Sequence, residues 1–317
     1  MNEKAKPFIK WVGGKTQLLN DIDNALPKNI LCKDDVTYIE PFVGGGAVLF
    51  WILQKYQNIK KAVINDINKD LINVYKTVKS SPKVLIDLLQ NIESYYLPLN
   101  DEARKEYFLE IRDKFNSKEY NIIENSAFFI FLNRTCFNVL YRVNKKGMFN
   151  VPFGSYKKPT ICDKKTILAD SKLLQCVDIL NEDFEVTMNY ADKNCFFYLD
   201  PPYKPLSKTS SFNSYSKEVF DDNEQVRLST FCKRLDEKGY SFILSNSDVR
   251  SKNPNDNFFD DLYEPFFIKR VHATRMVNAN SEKRGKLTEL LISNKDSNAY
   301  KDIMLRECSS IKRINYD

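Results

Sequence analysis

One arrangement constrains this chain more than any other: a run of three glycines framed by two short β-branched runs. Residues 36–39 end at Glu40-Pro41, Gly44-Gly45-Gly46 follows, residues 47–53 are apolar without a break, and Ala62-Val63-Ile64 closes at Asn65-Asp66. Such short runs read as strands and the apolar stretch between them as a helix, so the pattern predicts a β-α-β unit. Glycines between a strand and a helix let the backbone approach a ligand closely, and the helix N-terminus favours an electron-rich group. Asp66 stands 20 residues beyond Gly46, where an acid can bind ribose hydroxyls. A nucleotide-like ligand is the expectation.

The pattern then turns helical. Ser81-Pro82 places proline in a first helical turn, and Val84, Leu85, Leu88, Leu89 and Ile92 recur at helical spacing. Tyr107, Phe108, Ile111 and Phe115 mark another helix, and residues 126–132 a third. Strand character returns at residues 195–199, bounded by Asp200-Pro201-Pro202. A helix carrying Leu228, Phe231, Cys232 and Leu235 follows, with Gly239 as its stop, and residues 242–244, 266–271 and 287–292 read as three further strands. The expected architecture is an α/β domain in two pieces, residues 1–70 and 160–317, with a mainly helical domain, residues 71–159, inserted after its second strand. The polar stretch 204–217 is expected as a mobile loop. With 317 residues and 43% apolar composition, a chain of about two compact units has the material for a core.

Charge is unevenly placed. Residues 133–172 hold nine bases and two acids, a local +7 against a total of +6, so the remainder sums to −1. Phe137, Tyr141, Phe149, Phe153 and Tyr156 lie among those bases. Cations displace phosphate counterions and rings meet base faces, so the segment suits a polyanion with stackable bases. Arg142 can contact guanine O6 and N7 bidentately, and Phe137 or Leu140 can wedge a base step.

Several chemistries are excluded. The seven cysteines are scattered with no CxxC pair, which fits thiols in a reducing compartment and not a zinc ribbon. The single histidine, His272, rules out HExxH and zinc-deaminase ligand sets, and no GxSxG elbow accompanies it. It reads as structural. The apolar runs fall far short of the ~20 residues a bilayer requires, and the N-terminus has no signal-type apolar region, so the expected location is the cytoplasm, with no membrane partner. Gly13-Gly14-Lys15-Thr16 resembles a phosphate loop only superficially, because Ile9 stands where its first glycine would be. Lys15 is instead placed to reach a carboxylate, such as the amino-acid end of a cofactor.

The most specific signal is Asp200-Pro201-Pro202-Tyr203 at the end of a buried strand. A tetrad of this type should arise by chance in about one chain in a hundred of this length. Prolines make a rigid turn and leave carbonyls free to accept. An adenine amino group becomes nucleophilic when both its hydrogens are accepted, which a carboxylate and a backbone carbonyl can do, while Tyr203 holds the base by stacking.

Lys10-Trp11-Val12-Gly13-Gly14-Lys15, the EPFVGGG loop, Asn65-Asp66-Ile67-Asn68, LNRTCFNVLYR with FNVPFGSYKKP, and DPPY together resemble the Dam-type DNA adenine-N6 methyltransferases of the D12 class, alpha group. The resemblance runs from Phe8 to about Asn294. It implies a Rossmann-like S-adenosylmethionine-dependent sheet with an inserted DNA-recognition domain. It further implies that Trp11, Lys15, Phe42, Gly44, Asp66 and Asp200 bind S-adenosyl-L-methionine, and that Asp183-Phe184 meets the cofactor's adenine ring. The flipped target base would bond to Asp200 and the Pro201 carbonyl and stack on Tyr203, with Pro202 completing the corner. Lys10, Asn138, Leu140, Arg142, Pro152 and Tyr156 match positions that read GATC, Phe137 matches the intercalating aromatic, and Arg134, Lys157 and Lys158 add positive charge for the backbone. Many relatives carry tyrosine at the Phe137 position, so its hydroxyl bond is lost here.

The expectation is therefore a site-specific adenine methyltransferase acting on double-stranded GATC by base flipping, without a metal and as a monomer in solution. The competing readings are the same chemistry on a longer GAT-containing restriction site, a non-catalytic DNA-binding protein, and methylation of RNA or of a protein glutamine. Asp in place of Asn in the tetrad disfavours glutamine, and the GATC-reading positions disfavour RNA.

Overall fold

The computed structural model describes residues 4–27, 32–204, 220–273 and 287–295. Seven strands form one sheet: β1 (Val36–Glu40), β2 (Ile59–Asn65), β3 (Val177–Leu180), β4 (Cys195–Leu199), β5 (Ser241–Ser247), β6 (Phe267–Ala273) and β7 (Leu287–Ser293), in the order β3-β2-β1-β4-β5-β7-β6. The first five strands are mutually parallel, and β7 lies antiparallel between β5 and β6. All five residues of β1 and of β4 are buried, as central parallel strands covered on both faces must be. The strand order reverses at the β1/β4 boundary, and in open α/β sheets the ligand crevice opens beyond the carboxyl ends of the strands at such a point.

Nine α-helices are described: α1 (Leu19–Ala25), α2 (Ala47–Lys55), α3 (Lys69–Ser80), α4 (Pro82–Tyr96), α5 (Asp101–Ser117), α6 (Ile122–Thr135), α7 (Lys164–Leu173), α8 (Asp222–Glu237) and α9 (Phe258–Leu262). Local chemistry sets their starts. Asn68 and Asn100 accept N–H bonds at the heads of α3 and α5, Pro82 opens α4, and Asn121 with Glu124 forms a reciprocal capping box on α6. Gly239, at φ 75°, follows α8 as expected. Helix α6 packs against α3, α4 and α5 and forms the centre of the helical block.

Two apolar clusters flank the sheet. On one face, Tyr38, Ile64, Tyr198 and Ile243 join Leu85, Phe108, Phe131 and Phe149 of the helical block in one continuous cluster, which also takes in Phe8 from the N-terminal segment. On the other, Ile39, Val63, Phe197 and Leu244 pack against Phe231 and Leu235 of α8.

The structure adds elements that the sequence pattern did not announce, the short helices α1 and α9 among them. Strand β3 has only four residues and an exposed Asp178, so it lacks an apolar run. Helix α3 starts before the expected boundary, burying Leu71, Ile72, Val74, Tyr75 and Val78, and α7 carries few apolar residues within the basic stretch. Strand β5 also continues through Ser245-Asn246-Ser247, polar residues that are nevertheless buried. Of the expected loop at 204–217, only Lys204 lies within the described residues.

Candidate active site and nucleic-acid interface

The candidate site begins where β1 ends. Asn65, at the end of β2, donates to the Pro41 carbonyl (3.1 Å) and the Glu182 carbonyl (2.9 Å), tying together the segments that follow β1 and β3. Asp66 accepts the Gly44 N–H (3.1 Å) on one oxygen and the Asn68 N–H (2.9 Å) on the other. Each oxygen keeps a lone pair for a further donor, such as a ribose hydroxyl. Burial raises the Asp66 carboxyl to about 6. Gly46 sits at φ 73° as the N-cap of α2, and a Cβ there would meet the Tyr75 hydroxyl at 2.5 Å. That hydroxyl donates to the Gly44 carbonyl (3.0 Å), so the loop is held from beneath. Trp11 lies flat on the other side: a Cβ on Gly44 or Gly45 would meet its side chain at 2.9 Å.

Trp11 also stacks on Tyr141 of the basic segment, with ring centres 5.3 Å apart and planes 24° from parallel. The N-terminal segment thus touches three regions at once. Lys10 exchanges backbone bonds with the Asn133 side chain (3.0 and 2.9 Å), Trp11 covers the glycine loop, and Lys15 reaches the end of β4.

At that end, the buried Lys15 ammonium stands 2.8 Å from Asp200, 2.7 Å from the Gly13 carbonyl and 4.5 Å from the centre of the Tyr203 ring. The carboxylate that Lys15 meets is therefore Asp200. Burial pushes the Asp200 carboxyl up to about 6, with Lys15 opposing the rise and Glu289 adding to it. Neighbouring Glu40 is enclosed and takes a bond from Tyr38 (2.8 Å); burial raises its carboxyl well above the usual range. Pro201 is buried and Pro202 exposed, and the Pro202 carbonyl accepts from Gln225 (3.2 Å). The Tyr203 hydroxyl donates to Glu289 on β7 (2.6 Å).

On the opposite face, Phe184 is buried against Phe42 (5.3 Å between ring centres) and Phe231 (5.4 Å). The Arg227 guanidinium lies 4.4 Å from the centre of the Phe184 ring and pairs with Asp183, Glu185 and Glu224. Sequence reasoning named Asp183 and Phe184 but missed Arg227, whose position is set by α8 with no motif to mark it. It also missed Glu289, a lone acid in the apolar run LTELLIS, which is a signal that could have been used.

The basic segment folds back after α6 through two isolated bridges, Cys136 with Phe153 and Val143 with Phe149. Phe137 is 53% exposed, beside Asn138 and Val139, both in the left-handed region at φ 55° and 53°. A β-branched residue there is strained, and such strain concentrates at ligand-binding segments. The Phe137 N–H donates to the Pro152 carbonyl (2.8 Å), placing Pro152 next to it. Arg142 is braced by Asn150 (2.9 and 3.3 Å), and Leu140 is half-buried. Lys10, Lys157 and Lys158 are exposed, and the carbonyls of Tyr156 and Lys157 are held by buried Arg104. Arg134 departs from this set: its guanidinium turns inward to the Phe8 carbonyl (2.7 Å), because α6 points that side chain at the N-terminal segment. His272 is exposed on β6, paired in register with Thr288.

Residues 11–277 match the profile of the D12 class N6 adenine-specific DNA methyltransferases. The chain is 50% identical to a type II methyltransferase, M.MjaIII, of Methanocaldococcus jannaschii over 92% of this chain and 99% of that protein. It is 40% identical to a type II methyltransferase of Lactococcus lactis subsp. cremoris, over 91% of this chain and 95% of that one. A DNA adenine methylase of Vibrio cholerae is 34% identical over 91% of this chain and 96% of its own length.

Proposed function

Because the chain belongs to the D12 class N6 adenine-specific DNA methyltransferases, we propose that it methylates adenine N6 within double-stranded GATC, on a base flipped into the Asp200–Tyr203 corner. The observation that carries this reading is the position of the Lys15 ammonium, a protonated nitrogen held between the Asp200 carboxylate and the face of the Tyr203 ring. That is the environment the exocyclic amine of a flipped adenine requires: an acceptor for its hydrogens and a ring against its plane. Lys15 would give way to the base and would then be free to pair with a carboxylate of the methyl donor.

S-adenosyl-L-methionine supplies an electrophilic methyl group on a sulfonium. The residues at these strand ends suit it: Asp66 retains acceptor capacity for hydroxyls, and Phe42 and Phe184 pack as an aromatic pair. Asp200 and the Pro201 carbonyl take the two N6 hydrogens, which localises the nitrogen lone pair for attack. With the donor bound, N6 would take the methyl carbon as the carbon–sulfur bond's electron pair returned to sulfur, and the chain's part is to hold that amine in line through Asp200 and the Pro201 carbonyl. The surplus N6 proton leaves along the hydrogen bond to Asp200.

Arg142 and Phe137 read and wedge the duplex, with Lys10, Asn138, Leu140, Pro152 and Tyr156 around them and Lys157 and Lys158 on phosphates. The half-buried, Asn150-braced Arg142 suits a base contact, since bracing fixes the direction of its fork. Incubating a plasmid that carries many site variants and mapping N6-methyladenine tests the specificity. Modification at every GATC is expected; modification confined to a longer motif overturns it.

A further inference from the structure

We infer that Glu289 is a positioning residue for methyl transfer, one that aims the Tyr203 ring at the target base. This rests on the reading of the Asp200–Tyr203 corner given above. Strand β7 runs antiparallel between β5 and β6, so its beginning lies beside the carboxyl ends of the parallel strands, and Glu289 stands in register with Ser247 and Val271. Side chains alternate along a strand. Leu290 and Ile292 join the α8-side cluster, whereas Leu291 joins the cluster shared with the helical block, so Glu289 projects onto the helical-block face. Tyr198 belongs to that same cluster, and by the same alternation Asp200 follows it.

A row of polar groups lines this face at the strand ends. Tyr198 and Ser245 share a hydrogen bond (2.8 Å), Ser247 donates to the Lys204 carbonyl (3.3 Å), and Tyr203 donates to Glu289 (2.6 Å). Two constraints then define the Tyr203 ring. The hydroxyl lies on the ring's own axis of rotation, so the bond to Glu289 fixes where that axis points but not the spin about it. The Lys15 ammonium over one face, 4.5 Å from the ring centre, marks the side on which a nitrogen is received. Releasing the hydroxyl would leave the ring hinged only at its Cα–Cβ bond. Phenol donation to a carboxylate is a charge-assisted bond, stronger than a neutral one. It also enriches the ring that faces N6 as positive charge develops there.

The test is a double-mutant cycle on the full chain, Glu289→Ala with Tyr203→Phe, measuring kcat and KM for GATC duplex and the affinity for S-adenosylmethionine. Glu289→Ala is expected to lower kcat roughly 10- to 100-fold, with KM and cofactor affinity within about twofold of wild type. Because both variants break one bond, the double variant is expected to be no slower than the slower single one. Glu289→Gln, which keeps an acceptor oxygen, is expected to restore most of the loss. Wild-type kcat in Glu289→Ala, or losses that multiply in the double variant, would overturn the inference; multiplied losses would mean that Glu289 only braces β7. A wild-type chain that transfers no methyl group to adenine defeats the reading beneath it instead.

Discussion

The two halves of the candidate site are built in opposite ways. The corner formed by Lys15, Asp66 and Asp200 sits at the ends of buried strands: Asp200 is paired with Lys15, Lys15 also donates to the Gly13 carbonyl, and Asp66 accepts two backbone N–H groups. The segment from Phe137 to Lys158 has two isolated bridges instead of a sheet, and residues in the left-handed region at Asn138, Val139 and Ser155. Chemistry on one defined atom calls for groups held to within a fraction of an ångström, which packed strands supply. Reading a duplex calls for exposed side chains at several spacings, which a loop on a rigid support supplies.

Substitutions should expose this contrast, and the largest effect is expected at the corner. Asp200→Ala should reduce radiolabelled methyl transfer by about 100- to 1,000-fold or more, the scale for loss of a preorganised polar group. Equal incorporation would remove Asp200 from the reaction. The same carboxyl gives an acid limb. On the proposed mechanism transfer needs it ionised, and burial holds it at about 6 in the unliganded chain, so kcat/KM for the duplex should fall about tenfold per pH unit below that value.

Stability has the opposite sign. Asp200 and Asp66, each raised to about 6, retain protons in the folded chain that the unfolded chain releases near pH 4. Their contribution to stability is therefore greatest below about pH 4 and is lost as pH rises to about 6. The ionised state that the proposed transfer calls for is the state in which these two groups weaken the fold.

Gly46→Ala should lower stability by about 1–3 kcal/mol, seen as a drop of several degrees in Tm, because φ 73° is unfavourable for alanine and its Cβ would strike Tyr75. On the recognition side, Arg142→Ala should leave the fold intact and cost about 1–3 kcal/mol of discrimination at one guanine, read by competition between matched and single-mismatch duplexes. The smallest effect is expected for Lys157→Ala, which should weaken all duplexes alike and reduce the salt slope by about one. A sequence-dependent loss there would show that the loop reads bases with residues now placed on phosphates.

The same contrast governs how much was legible in the sequence. The β1-glycine-α2-β2 unit and β4 with its tetrad were readable because strand burial leaves an apolar run and the turn chemistry leaves glycine and proline. Strand β3 was not, since an edge strand of four residues interrupted by the exposed Asp178 leaves no apolar run to see. The motif residues of the corner were identified, but their partners Glu289, Arg227 and Tyr75 come from distant elements whose approach is decided by tertiary packing. Within the basic segment, charge alone could not tell inward from outward, and Arg134 turned inward.

The apolar cluster that runs without interruption from the sheet into the helical block has an evolutionary consequence. On the proposed assignment, a DNA-reading block that shares this apolar cluster with the catalytic sheet cannot be exchanged as a cassette. New sequence preferences would have to arise by editing side chains along the exposed loop while the helices beneath it stay put. Drift in target choice should then be gradual among such enzymes, and grafting a foreign block should yield misfolded chimaeras more often than retargeted ones.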